Sequence, residues 1–362
     1  MGSRNVGIRD VARAAGVSAT TVSHVLNDAP YARVSPETRE KVKSTAARLG
    51  YGPNRLARAL RSRKSGVLGL VSEDVATTPH AGRIILGADE AARARGYTLM
   101  IINTAGSADH GSREADVESL LERQVDGILY ATMYHRYLHA PANLGKVPSV
   151  LVDAVTADDS FPAVVPDEYG GAAAAVEALL AAGHTRIGFI NNTEDVPSTV
   201  RRLQGFRDTL TRAGLDGSSA PVEPASSDAA GGYAAARRML GSGHPPSGLF
   251  CYNDRMAMGA YRAAAELGLS IPGDLSVVGF DDQELIAASL HPGLSTVALP
   301  HYEMGAWAAD RLIDAIEADA IEAESGEAPR SGAGARGGTS GPVLLGCPLV
   351  TRGSVAAPPE QP

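Results

Sequence analysis

From Gly66 onward, short apolar runs alternate with alanine-rich helical segments, and few folds accept that order. The strand-like runs are Val67–Ser72, Leu99–Asn103, Gly127–Tyr130, Ser149–Val152, Ile187–Asn191, Leu249–Tyr252 and Ser276–Phe280. Helical patterns fill Ile84–Arg95, Ser112–Arg123, Gly170–Ala182, Arg201–Ala213, Gly232–Leu240 and Met256–Leu267, several of them closing on Gly96, Gly183, Gly214 or Gly268. Strands that are apolar on both faces and separated by helices require a parallel sheet covered on both sides. About ten such units are too many for one small sheet. The spacing therefore predicts two tandem doubly wound α/β lobes, dividing near residues 160–166.

The alternation fails in two places. Residues 318–341 are rich in Glu, Ala, Gly, Ser and Arg and lose apolar periodicity after Ile321, which predicts a flexible surface insertion. Val343–Thr351 reads as a returning strand, and Pro358–Pro362 as a frayed tail.

Ahead of the alternation lies a different pattern. In residues 8–27, IRDVARAAGVSATTVSHVLN, the side chains of Ile8, Val11, Ala12 and Ala15 recur at helical spacing. Gly16 suits a left-handed helix end, and Ser18 is placed to cap a second helix. Val17, Val22 and Val25 face inward with Leu26 close by, leaving Ala19, Thr20, Thr21, Ser23 and His24 outward. That division predicts a helix-turn-helix, whose outer face suits a DNA major groove. Ser35-Pro36-Glu37-Thr38 starts a third helix, striped by Val42, Ala46 and Leu49 to Gly50. Tyr51-Gly52-Pro53-Asn54 breaks the chain before a short helical run, Arg55–Leu60, and the basic Arg61-Ser62-Arg63-Lys64.

Charge follows the same boundary. Residues 1–64 hold thirteen Lys and Arg against four acids, net +9, while the whole chain is −8, which leaves −17 for the remainder. A basic head on an acidic body is the asymmetry of a chain that binds nucleic acid at one end. A merely solvated basic surface is the alternative, and the coincidence with the helix-turn-helix pattern decides against it.

Several classes are excluded. No apolar run is long enough for a membrane span; the richest, Ala172 to Ala182, is interrupted by Glu177. Arg4, Arg9, Asp10 and Arg13 interrupt any signal-peptide core, so a cytoplasmic location is expected. Two cysteines, Cys251 and Cys347, make no disulfide framework and read as buried thiols. There is no Walker loop, zinc ligand set or nucleophile elbow. His135 and His139 are spaced four apart, but nothing near completes a metal site, so they read as surface or cleft histidines. Asp281 and Asp282 are adjacent on a predicted strand and point to opposite faces, which argues against a shared catalytic task. No cofactor, metal or enzymatic activity is expected.

The segments IRDVARAAGVSATTVSHVLN, VSPETREKV, LGYGPNRLARAL, YNDRMAMGAYRAAAELGLSIPGDLSVVGFDD and PLVTRGS, in that order, resemble the LacI/GalR family of bacterial transcription regulators. The resemblance spans nearly the whole chain apart from the 318–341 insertion. It implies an all-α helix-turn-helix headpiece with a hinge helix, joined to an α/β two-lobed body like periplasmic sugar-binding proteins. The expected division is a headpiece at 1–52, a hinge at 53–65, and an effector-binding and dimerisation body at 66–355. Within the body the N-lobe takes about 66–164 and 296–320, the C-lobe about 165–295 and 342–355, and 356–362 form a tail. The implied partners are pseudo-palindromic double-stranded DNA, a second copy of the chain, and a small effector between the lobes.

The resemblance also assigns residues. Ala19, Thr20 and His24 fall where such regulators touch base edges: Ala19 for a thymine methyl, Thr20 for either polarity, His24 for a guanine or a phosphate. Ser18, Thr21, Ser23 and Asn27 position the backbone, and Arg33, before the third helix, adds a phosphate or base contact. Leu60 matches the leucine wedged into the minor groove at the central step, with Asn54, Arg55 and Arg58 on the backbone nearby; Leu60 also suits packing between two hinge helices. In the body, Arg202 aligns with the ligand-gripping arginine. Asp281, Asn253 and Asp153 end strands, where open α/β sheets place ligands. Ser72, His80 and Ser198 join the same cleft. Carboxylate, amide and guanidinium groups suit a many-hydroxyl ligand, and the positions that select a purine fall on His80, Ala81 and Ser227 instead of aromatic residues.

The expected function is a repressor of carbohydrate-utilisation genes, released or tightened by a sugar-like effector through a shift in lobe angle and hinge order. The alternatives are a purine or other corepressor-responsive regulator, a soluble sugar-binding protein, and a carbohydrate-acting enzyme.

Overall fold

The computed structural model describes residues 6–26, 32–51, 64–78, 81–104, 110–325 and 341–359. It divides into two compact units, Met1–Gly66 and Val67–Pro362. Asn27, the hinge residues Asn54, Arg55, Arg58 and Leu60, and His80 lie outside the described residues.

The first unit is three helices: α1 (Ile8–Ala15), α2 (Ala19–Leu26) and α3 (Pro36–Arg48). Gly16 ends α1 at φ 68°, a conformation that costs a glycine nothing. The Ser18 hydroxyl accepts the Thr21 N–H at 3.0 Å, and Ser35 accepts that of Thr38 at 3.2 Å with Pro36 opening α3. Val11, Ala15, Val22, Val25 and Val42 are fully covered, so the inward stripes of all three helices meet in one small core.

The second unit contains two six-stranded sheets. The first uses β1 (Val67–Glu73), β2 (Thr98–Thr104), β3 (Gly127–Tyr137), β4 (Ser149–Val155), β5 (Ala163–Pro166) and β11 (Val343–Leu345), in the order β11-β5-β4-β3-β1-β2, all parallel. Helices α4 (Gly82–Ala94) and α11 (His301–Ser325) cover one face through Ile84, Ala88, Met304, Ala308 and Leu312. On the other face, α5 (His110–Glu122) packs through Val117 and Leu120.

The second sheet uses β6 (Ile187–Asn192), β7 (Val222–Ala225), β8 (Gly248–Cys251), β9 (Ser276–Asp281), β10 (Ser295–Ala298) and β12 (Leu349–Val350). Its order is β12-β10-β9-β8-β6-β7, with only β12 antiparallel. Helices α6 (Glu168–Ala181), α7 (Pro197–Arg212), α8 (Ala229–Leu240), α9 (Asp254–Glu266) and the short α10 (Glu284–Ala287) belong to this lobe. Phe189 stacks on Phe250 at 4.5 Å between ring centres, with Phe206 and Phe280 completing an aromatic spine.

One close approach fixes the first lobe. A Cβ at Gly87 on α4 would sit 2.0 Å from the Tyr302 carbonyl oxygen, and one at Gly305 on α11 the same distance from that of Ile84. The two helices touch backbone to backbone. Gly87→Val is expected to destabilise this unit by at least the 1–3 kcal/mol typical of overpacking, because backbone cannot step aside as a side chain does. A urea midpoint indistinguishable from wild type would contradict this.

The structure departs from the sequence expectations in several places. The chain crosses between lobes from β5 to α6, from β10 to α11 and from β11 to β12, and the last two crossings fall later than the expected lobe bounds. Val343–Thr351 is thus two short strands in different sheets, so residues 342–355 do not all belong to the second lobe. Residues 296–298 likewise pair in the second sheet through β10, not in the first. Residues 318–325 are not a loose insertion but the last turns of α11, since Ala and Glu favour helix until Gly326; 326–340 lie outside the described residues. The tail is tied down at Ala356, whose N–H is accepted by Ser276 and whose carbonyl faces His184 at 3.0 Å.

Candidate functional site

The carboxyl ends of both sheets meet where the chain crosses between lobes. Arg202, on the second turn of α7, is 3% exposed. Its Nε donates to Glu168 Oε2 at 2.6 Å, one guanidinium nitrogen donates to the Tyr252 carbonyl, and the same nitrogen lies 3.7 Å from Asp281 Oδ1. The guanidinium also covers the rings of Phe280, at 3.6 Å, and Tyr252, at 4.4 Å. Burial works against its charge, but Glu168, Tyr252 and Asp281 together raise its affinity for the proton.

The surrounding carboxyls outnumber it. Burial pushes Asp153 well above the usual carboxylate range, and the neighbouring Glu168 pushes it further. Burial also raises Glu168, partly offset by Arg202. Asp281 ends β9 at φ 105°, whereas Asp153, expected at a strand end, lies within β4 at φ 59°, because the strand runs on to Val155. Left-handed backbone at non-glycine residues carries strain that clusters at functional sites. Asp153 Oδ1 is buried with no hydrogen-bond partner, an acceptor waiting for a donor.

The structure therefore brings together Arg202, Asp281 and Asp153. Ser198 joins them through its hydroxyl, 2.7 Å from the Tyr252 hydroxyl. Asn253 is buried beside Tyr252, but its side chain is engaged: it caps α9 by accepting the Met256 N–H at 2.8 Å and donates to the Ser227 carbonyl at 3.1 Å. Ser72, at the end of β1, donates to Asn103 at 2.8 Å and accepts the Ala76 N–H. Asp282 was expected on the same strand as Asp281, but β9 ends at Asp281 and both residues have positive φ; Asp282 pairs with Arg352 at 2.7 Å.

Two residues were not anticipated here, and a third was read only as surface or cleft. Glu168 is held against Arg202, 34 positions away. Tyr252 supplies a ring, a carbonyl and a hydroxyl. His135, read as a surface or cleft residue, is buried, whereas His139 is exposed. His135 lies on strand β3, so the four-residue spacing does not bring the two rings together. Among the described residues no group of His, Cys, Asp or Glu forms a metal site, and no helix is long and apolar enough to cross a membrane.

In the head, Ser18, Thr20 and Arg33 are exposed, and Thr21, Ser23 and His24 are half-buried. Ala19 is half-buried and packs on the three-helix core. Ser18 and Thr21 are hydrogen-bonded to one another at 2.9 Å as part of the cap.

A three-helix head with this turn geometry, followed in the chain by a two-lobed body with a polar cleft, defines a ligand-controlled DNA-binding regulator. Residues 7–54 match the description "Bacterial regulatory proteins, lacI family", and residues 176–332 match "Periplasmic binding protein-like domain". The ribose operon repressor of Escherichia coli strain K12 is 33% identical over 314 residues, covering 85% of this chain and 92% of the repressor. The sucrose operon repressor of Escherichia coli is 34% identical, covering 86% and 94%. The lac repressor dimer solved on operator with the anti-inducer ONPF matches with TM-score 0.74 at 28% identity, over 98% of this chain and 100% of that one. The chain belongs to the LacI family of bacterial transcriptional regulators. It is a DNA-binding regulator and not an enzyme.

Proposed function

We propose that this regulator is a cytoplasmic homodimeric repressor of carbohydrate-utilisation genes, controlled by a sugar-like effector held between its lobes. The observation that carries the reading is the buried Arg202, flanked by Asp281 at the end of β9, Glu168 in the first turn of α6 and Asp153 within β4 of the other lobe. Fixed donors and acceptors without a large apolar wall suit vicinal hydroxyls. Purine stacking is disfavoured, because Phe280 and Tyr252 already present their faces to Arg202. Relatives named for ribose and sucrose operons, and a neighbour solved with cellobiose at TM-score 0.63, support the sugar class.

On DNA, Ala19, Thr20 and His24 reach base edges, while Ser18, Thr21, Ser23, Asn27 and Arg33 hold the backbone. Leu60, with Asn54, Arg55 and Arg58, works at the bent centre of a pseudo-palindromic site. No arginine or glutamine fork stands on α2, so DNA deformability supplies much of the specificity. Sugar binding changes the angle between lobes, and its differential affinity for the two states sets the response.

Asp281→Ala is the direct test. It is expected to bind a duplex selected from a random-sequence pool like wild type, yet to lose response to the sugar identified by a thermal-shift screen. Losing one charged acceptor costs about 1.5–3 kcal/mol, roughly 10- to 150-fold in affinity. Loss of DNA binding in a folded Asp281→Ala protein would overturn this division of labour.

A further inference from the structure

We infer that Asp254 is a positioning residue for the effector site: it holds the turn that follows β9 and, through Gln283, fixes where the Asp281 carboxylate points. This rests on the reading of Asp281 as an effector contact given above and extends it to a fully buried residue.

Asp254 opens α9, 0% exposed, one residue after the Asn253 cap. An acid at a helix start ordinarily serves its own helix. Here the Asn253 side chain already accepts the Met256 N–H, and both Asp254 oxygens reach other elements. Oδ1 accepts the Thr296 hydroxyl from β10 at 2.6 Å, and Oδ2 accepts the Gln283 N–H at 2.7 Å. Gln283 in turn donates its side-chain amide to Asp281 Oδ2 at 2.9 Å, while Asp281 Oδ1 faces Arg202. Strand β9 makes room for the carboxyl. A Cβ at Gly279 would sit 2.3 Å from Asp254 Oδ1, so a side chain there would displace it.

The turn needs such an anchor. Asp281 and Asp282 stand at φ 105° and 51°, successive non-glycine residues in left-handed backbone. Strain of that kind persists only where the surroundings over-determine it. The holds are the Asp254–Gln283 bond, the Gln283–Asp281 bond, and Arg352, which donates to Asp282 at 2.7 Å and to the Leu294 carbonyl at 2.9 Å. Arg352 is partly exposed, whereas Asp254 is sealed from water, where a hydrogen bond is strongest. Burial pushes the Asp254 carboxyl well above the usual carboxylate range, and Asp281 pushes it further. Packing does not ask for that cost, since an apolar side chain of similar size would fill the space without it. What the carboxyl holds accounts for its presence.

The probes are ribose, glucose, galactose, sucrose and cellobiose, titrated calorimetrically into the full chain. For the sugar that wild type binds most tightly, Asp254→Leu and Gln283→Met are each expected to lose roughly tenfold or more in affinity. Asp254→Asn keeps an oxygen for the Gln283 N–H and is expected to stay within about threefold of wild type. Hydrogen exchange without sugar separates aiming from damage. In Asp254→Leu, residues 281–286 are expected to exchange roughly tenfold faster or more, with β6 and α8 at wild-type rates. In Gln283→Met, which keeps the backbone bond, exchange is expected to stay unchanged while affinity falls. Thr296→Val, which frees one side of the carboxyl, replaces Asp254→Leu if that variant does not fold, with the same directions expected. Wild-type affinity in Gln283→Met overturns the inference and leaves the sugar reading standing. Unchanged exchange over 281–286 in Asp254→Leu does the same, and so does faster exchange throughout the lobe, the mark of a plain structural staple. If wild type binds none of the five sugars, the sugar reading falls, and the exchange rates alone decide whether Asp254 holds the turn.

Discussion

Raising salt from about 50 to about 200 mM is expected to weaken DNA binding by roughly 10³-fold or more, the fall seen when about six to ten phosphates are neutralised. The whole chain is acidic, at −8, and a uniformly spread charge would repel a duplex. Attraction must come from residues 1–64, net +9, since salt screens exposed charges beyond about 10 Å at 0.1 M. Arg9, Arg13, Arg33, Arg39, Lys41, Lys43 and Arg48 are among its cations, on and between the three helices. Two heads on one site double the phosphates contacted, so the slope also reports the dimer. Fluorescence anisotropy on a selected duplex measures it. A flat dependence would mean that the basic head does not supply the affinity, and a slope of half the expected size would point to one head on the duplex.

The lobed architecture was legible because a parallel sheet buried on both faces writes its strands as uninterrupted apolar runs, as in Val67–Ser72 or Ser276–Phe280. What escaped was short. Strands β5, β7 and β10 are four residues each, and two of them contain proline, Pro166 and Pro224. Both prolines fall where ladder demand ends: Pro166 closes its strand, and Pro224 lies on the edge strand β7. The expected lobe bounds contain three crossings, but the last two fall later in the structure, because strand membership after residue 295 is decided by tertiary pairing, with β10, β11 and β12 alternating between sheets.

The site divides in the same way. Arg202 and Asp281 stand in recognisable segments, RLQGF and GFDD. Glu168 lies ahead of the helical pattern that begins at Gly170, and even in the first turn of α6, where the structure puts it, the helix dipole alone would explain an acid. Only the fold shows that it shares a buried guanidinium with a residue on another helix. His135 was read as a surface or cleft residue; its burial was not legible because β3 was expected to stop at Tyr130, whereas it runs to Tyr137.

Arg202→Met is expected to be the most destabilising single change in the body, by about 3–5 kcal/mol near neutral pH. The substituted side chain fills similar space, so the loss is electrostatic. Glu168, 3% exposed, and Asp281 would be left without their cation, with Asp153 beside them. The remedy open to buried carboxyls is protonation, and the direction of their shifts fixes the pH dependence. Glu168 and Asp153 already bind protons more tightly folded than unfolded. A group with a raised folded pKa contributes stability that is complete below its unfolded pKa and lost as pH rises through its folded pKa. Removing Arg202 raises both further, so the penalty should be smaller near pH 5 than near pH 8. Glu168→Gln removes one stranded charge, and the double substitution should recover part of the loss seen in Arg202→Met alone. Urea midpoints of the four proteins at the two pH values test this. An Arg202→Met penalty below about 1 kcal/mol, typical of exposed pairs, would mean that water reaches the cluster. A penalty that Glu168→Gln deepens would mean that Glu168 is held by something other than Arg202.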